Sequence, residues 1–353
     1  MQSPHYDLQI FGPIPRPLGG VADFIQRLVC ALDGNKILVR DMYAGEKTRL
    51  PGHVVHERLD GRSELAIGRM WASCLLSGPV APVTFVNFSN PAGLVRIIPI
   101  KKSGRWVLML HDGGLGTLYA KHARAVRSLI DRQLQRFDAI LCISKDQMQF
   151  YRDRSIGDDR LMSVRSYVRP SNWLDLLSLR RDYIRDARPG TLVVVTSGSA
   201  LPAYRLDYVL KLARKYSNPN IQYRVFIYGP RDTAHFQQLS RLAEDLPNVR
   251  LLTDCDAAEF NTALAQSDVY LRPFNRDSLG IVVADAWNLG LGVVASDCCE
   301  RLGAPKLFAT DDYEAFEAAS NEVIAAALRE RPSIGATGAW TDEKDRLRQL
   351  LLG

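Results

Sequence analysis

Apolar and polar residues alternate along this chain in two arrangements that repeat from one end to the other. Short apolar, β-branched runs such as TLVVVTS at 191–197 predict buried strands. The longer stretches between them carry apolar residues three and four positions apart, which predicts helices. Because the strands are apolar on both faces, the pattern indicates parallel sheets covered by helices on both sides.

In the first half, the pattern predicts five strands and four helices. The strands are predicted at 7–11, 36–40, 83–87, 106–110 and 139–143. The helices are predicted near 21–32, 64–76, 118–136 and 145–152. The second half begins a new cycle, with strands at 191–197, 222–228, 249–252, 269–272 and 293–296 and helices at 206–216, 233–245, 257–266 and 281–289.

The repeated cycle predicts an α/β protein with two Rossmann-like domains, whose parallel sheets face each other across a cleft. We place the N-terminal domain at 1–167 and the C-terminal domain at 191–340. Between them, residues 168–190 are rich in Arg, Asp and Pro and predict a linker with a short helix. Residues 341–353 predict a C-terminal helix, which we expect to pack back on the N-terminal domain.

The composition narrows the class of protein. The 353 residues are 46% hydrophobic and 24% charged, which excludes a disordered chain. No stretch is typical of a membrane span, and we expect no secretory signal at the N-terminus. The six cysteines lack metal-ligand spacing, so we expect free thiols in a reducing, cytoplasmic compartment and no metal site.

The net charge of +6 is concentrated in residues 91–136, which hold nine basic and two acidic residues. This local excess favours one anionic surface or ligand and argues against a nucleic-acid partner. Residues 94–106 mix aliphatic side chains and Trp106 with basic ones, and Lys121, Arg124 and Arg127 recur at spacings of three on a predicted helix. We expect this segment to dock reversibly on an anionic membrane. The alternative is a solvated basic face over an ordinary core helix.

Two common nucleotide-binding motifs are absent from the sequence. There is no GxGxxG after a strand and no GxxxxGK[ST], so a nicotinamide dehydrogenase or a P-loop enzyme is not supported. Gly19 and Gly20 instead follow the first strand and precede a helix. Glycines at that point permit close backbone approach, and the helix N-terminus offers free amides to an anion. A tight turn without a ligand is the alternative.

The most informative segment is 267–297, with the sequence SDVYLRPFNRDSLGIVVADAWNLGLGVVASD. It places Asp277 in a loop after a strand, Gly280 at the turn into a helix, and Asp285 in the first turns of that helix. The loop and helix amides can receive a diphosphate, and the carboxylates can accept hydrogen bonds from sugar and ribose hydroxyls. The alternative is two acids that only cap and solvate the start of the helix.

This segment resembles the C-terminal domain of family 4 retaining nucleotide-sugar glycosyltransferases, which have the GT-B fold. The pattern of that family is P-S-x-x-E-G-F-G-L-x-x-x-E-A-x-A-x-G-x-P-V-V-A-S, and this chain carries Asp instead of Glu at both acidic positions, Asp277 and Asp285. The RP…DS and ASD groups, followed by Cys299 and Arg301, are similar to a subgroup among surface-polysaccharide transferases.

The resemblance implies catalytic roles for two residues. Asp277 would bind hydroxyls of the transferred sugar, and His111, in LMLHDG at the end of a strand, would contact the same sugar from the N-terminal domain. Asp285 would bind the ribose. We expect replacement of either aspartate by Ala to weaken donor use more than fold stability.

The resemblance also implies a diphosphate clamp, from which this chain departs. The usual Gly-Arg is missing because Ser199 follows Gly198, and Arg205 stands in for a usual Lys. Arg231, Arg272 and Arg276 are spare cations that we interpret as surface residues. The donor-binding set implied by the resemblance is Gly19, Gly20, Gly198, Arg205, Gly229, Ser278, Leu279, Gly280 and Asp285.

These features predict a retaining glycosyltransferase of the hexosyltransferase type, which moves a sugar from a UDP- or GDP-sugar to a lipid-linked glycan acceptor in polysaccharide biosynthesis. The N-terminal domain would bind the acceptor and the C-terminal domain the nucleotide sugar, without a cofactor or metal. We expect a cytoplasmic protein that is peripheral on the inner face of the membrane. A non-catalytic GT-B partner protein and a nucleotide-sugar epimerase of the same architecture are the alternatives.

Overall fold

The computed structural model describes residues 5–15, 19–41, 50–58, 68–69, 71–72, 80–98, 100, 102–332 and 342–353. The chain divides into two compact units. Unit 1 comprises Met1–Ser171 and Asp342–Gly353, and unit 2 comprises Asn172–Thr341. No helix within the described ranges is long and apolar enough to cross a membrane.

The described residues of unit 1 form a seven-stranded parallel sheet in the order β3-β2-β1-β4-β5-β6-β7. Its strands are β1 (Leu8–Phe11), β2 (Ile37–Asp41), β3 (Val54–Arg58), β4 (Val83–Phe88), β5 (Arg105–Leu110), β6 (Ala139–Cys142) and β7 (Leu161–Ser163). Its helices include α1 (Gly20–Ala31), α2 (Leu115–Ala120), α3 (Arg124–Leu134) and α4 (Lys145–Arg152), with 3₁₀ turns at Pro91–Ile97 and Asp158–Arg160.

Unit 2 repeats this arrangement with a six-stranded parallel sheet in the order β10-β9-β8-β11-β12-β13. The strands are β8 (Leu192–Ala200), β9 (Ile221–Arg231), β10 (Val249–Thr253), β11 (Val269–Arg272), β12 (Gly292–Ser296) and β13 (Lys306–Phe308). The helices are α5 (Trp173–Asp186), α6 (Leu206–Lys215), α7 (Thr233–Glu244), α8 (Ala257–Ala265), α9 (Ile281–Asn288) and α10 (Tyr313–Arg329), with a 3₁₀ turn at Pro202–Tyr204. Read from the first strand of each sheet, both have the Rossmann order 3-2-1-4-5-6.

Helix α5 lies within the segment 168–190, which the sequence predicts as a linker with a short helix. The helix has 14 residues and belongs to unit 2. Arg180 on it is fully buried and donates hydrogen bonds to the carbonyls of Leu289 (3.2 Å), Pro332 (2.9 Å) and Ser267. A buried guanidinium with three carbonyl acceptors fixes this helix to unit 2, so residues 172–186 are not a free connector.

The last helix of the chain, α11 (Lys344–Leu352), belongs to unit 1. Leu347 and Leu351 on it are fully buried. The Arg105 side chain donates to the Leu350 carbonyl at 2.5 Å, and Arg348 donates to the Ala31 carbonyl at 3.1 Å. Apolar burial and these two charge-assisted hydrogen bonds hold α11 in unit 1.

The single helix predicted at 118–136 is instead two helices, α2 and α3. The chain leaves the helical conformation at Ala123, whose ψ is 151°. The break allows the Tyr119 hydroxyl to donate to the Asp131 carboxylate at 2.6 Å, although these residues are 12 positions apart. In one continuous helix they would be about 18 Å apart.

The remaining differences from the sequence pattern lie mainly at sheet edges. Strands β3, β7 and β13 are not predicted, because each is short or polar and lacks an apolar run. Helix α10 is also missing from the prediction. The helix predicted at 64–76 falls mostly outside the described residues.

Candidate functional site

The polar side chains of interest in unit 2 lie near the carboxyl ends of β8, β11 and β12. Strand β11 is paired directly with β8, at the point where the strand order reverses direction along the sheet. In open parallel sheets, ligands bind outside the carboxyl ends of the strands at this reversal. The segment that carries the predicted motif, from Arg272 to Asp285, begins at this edge.

Asp277 is the centre of a buried ionic cluster. The Arg272 guanidinium donates to it through two nitrogens, Nε to Oδ2 at 2.6 Å and Nη2 to Oδ1 at 3.0 Å. Arg301 Nη1 also donates to Oδ2, and the backbone N–H of Ser278 donates to Oδ1 at 2.9 Å. The side chains of Asp277, Arg272 and Arg301 are 9%, 8% and 1% exposed.

These four hydrogen bonds occupy both oxygens of the Asp277 carboxylate. An ionised carboxylate offers about four acceptor positions, so no acceptor is left over for a sugar hydroxyl in this conformation. Burial alone would raise the pKa of Asp277, but Arg272 and Arg301 hold it well below its usual range. Because the Asp277 side chain is 9% exposed and bound to two cations, its replacement should also destabilise the fold, contrary to the expectation from the sequence.

The interpretation of Arg272 as a surface cation is also wrong, because the residue is buried. Its Nη1 donates to the Tyr270 hydroxyl at 2.9 Å, and its guanidinium lies 3.9 Å from the centre of the Phe274 ring. The Tyr270 hydroxyl lies 3.2 Å from Ser197 Oγ at the end of β8. These three hydrogen bonds use three of the five guanidinium N–H groups, so two donors have no acceptor among the described residues.

Arg301 connects the cluster to the end of β12. Its Nε donates to the Ser296 carbonyl, and its Nη2 donates to Ser296 Oγ, both at 3.1 Å. Ser296 Oγ in turn donates to the Phe274 carbonyl. The sequence shows Arg301 only as part of a Cys-x-Arg group, so its pairing with Asp277, 24 residues away, depends on the tertiary fold.

Gly280 is required at the start of α9 for two reasons. Its φ is +73°, in the left-handed region that favours glycine. A Cβ at this position would lie 2.8 Å from Arg301 Nη1 and 3.2 Å from Asp277 Oδ2. The glycine therefore allows the backbone to turn into the helix directly against the ionic cluster.

The other motif residues surround this cluster or follow it. Leu279 is buried and Ser278 is half-buried in the loop before α9. Asp285 is 2% exposed inside α9, where its backbone carbonyl accepts from the Leu289 N–H at 2.9 Å. Gly229 has a φ of +68° on β9.

The structure gives the predicted phosphate residues Gly198 and Arg205 other contacts. A Cβ on Gly198 would lie 2.7 Å from the Tyr204 ring and 3.2 Å from the Phe274 ring, so aromatic packing explains this glycine. Arg205 Nε donates to Asp311 Oδ1 at 2.7 Å in a partly exposed ion pair. A diphosphate would have to compete with Asp311 for this guanidinium.

In unit 1, the buried polar group of interest is His111, directly after β5. It is 7% exposed, and its ring lies 4.9 Å from that of Phe24 on α1. Burial lowers the pKa of His111 to about 3, so the imidazole is neutral at physiological pH. Its Nε2 has no hydrogen-bond partner among the described residues.

Asn87, at the end of the neighbouring strand β4, was not singled out from the sequence. Its side chain is fully buried, and neither its amide oxygen nor its nitrogen has a partner in the described part of the chain. Asn87 pairs with Met109 in the sheet register, two residues before His111. Buried amides without partners are rare, so these two residues mark a polar position at the carboxyl edge of the unit 1 sheet.

The glycines at the start of α1 have open surroundings. A Cβ on Gly19 or Gly20 would meet no described atom within 4 Å. Gly19 precedes the helix in an extended conformation, and the Asp23 carboxylate in the first turn pairs with Arg27 at 2.8 Å. Crowding by the described residues does not account for these two glycines, and their role in donor binding stays a prediction.

The basic segment 91–136 is less available than its sequence indicates. The apolar residues Leu94, Ile97, Ile100 and Trp106 are buried in the core of unit 1. Among its cations, Lys102 pairs with Asp138 at 2.6 Å, and Arg136 donates to the carbonyls of Ile98 and Ile100. These four apolar side chains therefore pack inside unit 1 and cannot contribute to docking on a membrane surface.

The three basic residues predicted to share a helix face lie on either side of the α2–α3 break. Lys121 caps the end of α2, whereas Arg124 and Arg127 are in α3. Lys121 and Arg124 are exposed, and the half-buried Arg127 lies 5.8 Å from the centre of the Tyr119 ring. The prediction that a single helix aligns all three is wrong, although two exposed cations remain at the surface.

Comparison with known proteins finds a family model that matches most of unit 2. Residues 191–326 match the model of the family described as glycosyl transferases group 1. The matched range contains Asp277, Arg272 and Arg301. No curated protein is significantly similar to the sequence.

Several solved structures are similar to the whole chain. HepE from Anabaena in complex with UDP has 14% identity and a TM-score of 0.63, over 93% of this chain and 96% of that chain. Sucrose-phosphate synthase from Thermosynechococcus elongatus has 13% identity and a TM-score of 0.69, over 98% and 95%. WaaG, a glycosyltransferase involved in lipopolysaccharide biosynthesis, has 16% identity and a TM-score of 0.63, over 92% and 90%. These similarities and the two parallel-sheet α/β units confirm the predicted GT-B fold.

Proposed function

We propose that this GT-B protein is a glycosyltransferase that takes a sugar from a nucleoside diphosphate donor. The observation that carries the proposal is the match of residues 191–326 to group 1 glycosyl transferases, within which the buried Arg272–Asp277–Arg301 cluster lies at the ligand-binding edge of the sheet. The solved structures of HepE with UDP and with UDP-glucose support a nucleotide-sugar donor.

The transfer is proposed to proceed with retention of configuration, as the sequence resemblance implies. The bond between the sugar and the diphosphate weakens first, so negative charge develops on the leaving diphosphate and positive charge on the sugar. Fixed cations and backbone amides that meet the diphosphate would lower the barrier without reorganising during the reaction. Arg272, with its two remaining N–H donors, and the amides at the start of α9 are suited to this role.

The remaining assignments follow the resemblance and are part of the proposal. Asp285 would bind the ribose, and neutral His111 would contact the transferred sugar. Asp277 differs, because its acceptor positions are already used, so we assign it the positioning of Arg272 and Arg301.

A transfer assay tests this function directly. The full chain is incubated with UDP- and GDP-sugars and a membrane lipid extract, and released nucleoside diphosphate and glycolipid products are measured. Arg272→Lys should reduce turnover at least tenfold, because an ammonium cannot replace the planar guanidinium fork. Arg231→Lys, which changes a partly exposed cation paired with Asp254, should leave turnover unchanged. Failure to release nucleoside diphosphate from any donor would contradict the proposal, and the anomeric configuration of the product tests retention.

We further propose that the acceptor is a lipid-linked glycan and that unit 1 docks on the inner, anionic face of a membrane. The exposed cations Lys121 and Arg124, with Arg127, support electrostatic docking of roughly 1 kcal/mol per residue. The similarity to WaaG agrees with a glycolipid acceptor. This docking would be weak and sensitive to salt, because the apolar residues of the segment are in the core.

Vesicle sedimentation tests the docking. Binding should rise with the fraction of anionic lipid and fall with salt, and should decrease when Lys121, Arg124 and Arg127 are changed together to Ser. A control with the exposed residues Arg181, Arg188 and Arg241 changed to Ser has the same loss of charge and should bind as the parent chain does. Equal loss of binding in both variants would show that only net charge matters.

A further inference from the structure

Two adjacent cysteines, Cys298 and Cys299, follow β12 beside the ionic cluster. Both are half-buried. Arg301 Nη2 donates to Cys298 Sγ at 3.5 Å. Ser296 Oγ, whose proton goes to the Phe274 carbonyl, lies 3.3 Å from the same sulfur. We propose that Cys298 is a reactive thiolate and a site of covalent modification by small electrophiles and peroxides.

The charges around Cys298 favour the thiolate. Two guanidinium groups, Arg272 and Arg301, share a single aspartate, Asp277, so the cluster has one unbalanced positive charge. Buried charges in proteins are normally paired, and a thiolate at Cys298 supplies the missing negative charge.

The two other acidic groups next to the sulfur are exposed, and Arg301 has only the smallest of several effects on the pKa of Asp297. The exposed Asp297 carboxylate instead accepts hydrogen bonds from the backbone N–H and the hydroxyl of Thr310, at 2.8 and 2.6 Å. Glu300 is exposed to solvent. Among the described residues, Arg301 is the charged donor in hydrogen-bond contact with Cys298 Sγ.

The titration of the thiols agrees with this geometry. The hydrogen bond from Cys299 lowers the pKa of Cys298, with help from the Arg301 guanidinium and against the effect of burial. The same hydrogen bond raises the pKa of Cys299, which stays a neutral thiol. Burial raises the pKa of the other described cysteines, Cys30, Cys142 and Cys255.

Two reactions follow from this arrangement. With iodoacetamide, the Cys298 sulfur forms a bond to carbon as the carbon–iodine bond breaks and iodide leaves. With hydrogen peroxide, the sulfur attacks one oxygen, the O–O bond breaks, hydroxide leaves, and sulfenic acid forms by a two-electron oxidation of sulfur. Both products remove the thiolate charge that balances Arg301.

The lowered pKa of Cys298 gives it a larger thiolate fraction at pH 6 than the cysteines whose pKa is raised. A thiolate of lower pKa is a weaker nucleophile, which offsets part of this advantage. Because the thiolate fraction changes more steeply with pKa than the nucleophilicity does, Cys298 should still react faster than a cysteine of equal access.

The experiment is alkylation of the full chain with limiting iodoacetamide between pH 5 and 9, followed by peptide mass spectrometry. The half-buried Cys30 and Cys255 serve as internal references. We expect Cys298 to react at least tenfold faster than either at pH 6, with a rate that reaches a plateau above pH 7. Cys299→Ala, which removes the hydrogen-bond donor, should move that plateau to higher pH without unfolding the chain.

Two results would overturn the inference. One is a Cys298 rate no greater than that of Cys255 at pH 6. The other is a rate that keeps rising to pH 9 in both the parent chain and Cys299→Ala. Neither readout depends on glycosyl transfer, so the inference is tested independently of the proposed function.

Discussion

Replacing Asp277 by Asn should destabilise the chain strongly, because it leaves two buried guanidinium groups without a negative partner. Asn preserves the size of the side chain and removes its charge. Breaking a buried ion pair by removing one partner costs about 3–5 kcal/mol in the free energy of unfolding. Arg272 and Arg301 both depend on this one carboxylate, so we expect a loss in that range.

Urea unfolding followed by circular dichroism measures this loss, and Asp311→Asn is the matched control. Asp311 also pairs with an arginine, Arg205, but its side chain is 47% exposed. An exposed pair contributes about 0–1 kcal/mol, so the control should unfold close to the parent chain. If Asp277→Asn unfolds at the same urea concentration as Asp311→Asn, the buried cluster does not stabilise the fold and the reasoning is refuted.

The same cluster predicts a dependence on acid. The folded-state pKa of Asp277 is lowered, so its contribution is present above the unfolded value of about 3.9 and is lost as pH falls below it. The difference in stability between the parent chain and Asp277→Asn should therefore shrink below pH 4. A constant difference from pH 7 to pH 3 would contradict the assignment of a low pKa.

Three further predictions follow from the structure. The folded-state pKa of His111 is about 3, below the unfolded value of about 6.5, so the folded state loses stability as pH falls between these values. Between pH 7 and pH 5, His111→Phe should therefore lose about 2 kcal/mol less unfolding free energy than the parent chain. Equal losses would place His111 in solvent. Gly280→Ala should lower the free energy of unfolding by at least about 1 kcal/mol more than Gly34→Ala does. Both glycines have positive φ, but only a Cβ at Gly280 would meet other described atoms. Equal urea midpoints of the two variants would contradict this. Addition of EDTA should leave the transfer rate unchanged, since the proposed chemistry uses arginines and amides, and a strict metal requirement would count against it.

The alternation of apolar runs and amphipathic stretches was enough to predict ten of the thirteen described strands. All five strands predicted in unit 1 lie within one residue of their observed bounds. The edge strands β3, β7 and β13 could not be predicted in this way, because their register comes from a neighbouring strand and not from their own sequence. The break between α2 and α3 was missed because no Pro or Gly marks it, and the Tyr119–Asp131 hydrogen bond is a tertiary contact.

The candidate site was predicted only in part, because some of its contacts are tertiary and leave no local pattern in the sequence. The spacing of Asp277, Gly280 and Asp285 located the segment, since local spacing survives in the sequence. The partners of Asp277 did not follow from spacing, because Arg301 reaches it from the end of a different strand. The sequence did not single out Asn87, because an Asn near the end of a strand is common. Its burial and its lack of partners among the described residues are visible only in the structure.

A structure of the full chain bound to UDP or GDP tests the central claim most directly. We predict that one of the two nucleotides binds with its diphosphate within hydrogen-bond distance of the Arg272 side chain and of backbone amides between Ser278 and Ile281. Asp277 should keep its bonds to Arg272 and Arg301 and should not touch the nucleotide. A nucleotide bound away from this edge of the unit 2 sheet, or no binding of either nucleotide by the folded chain, would contradict the account.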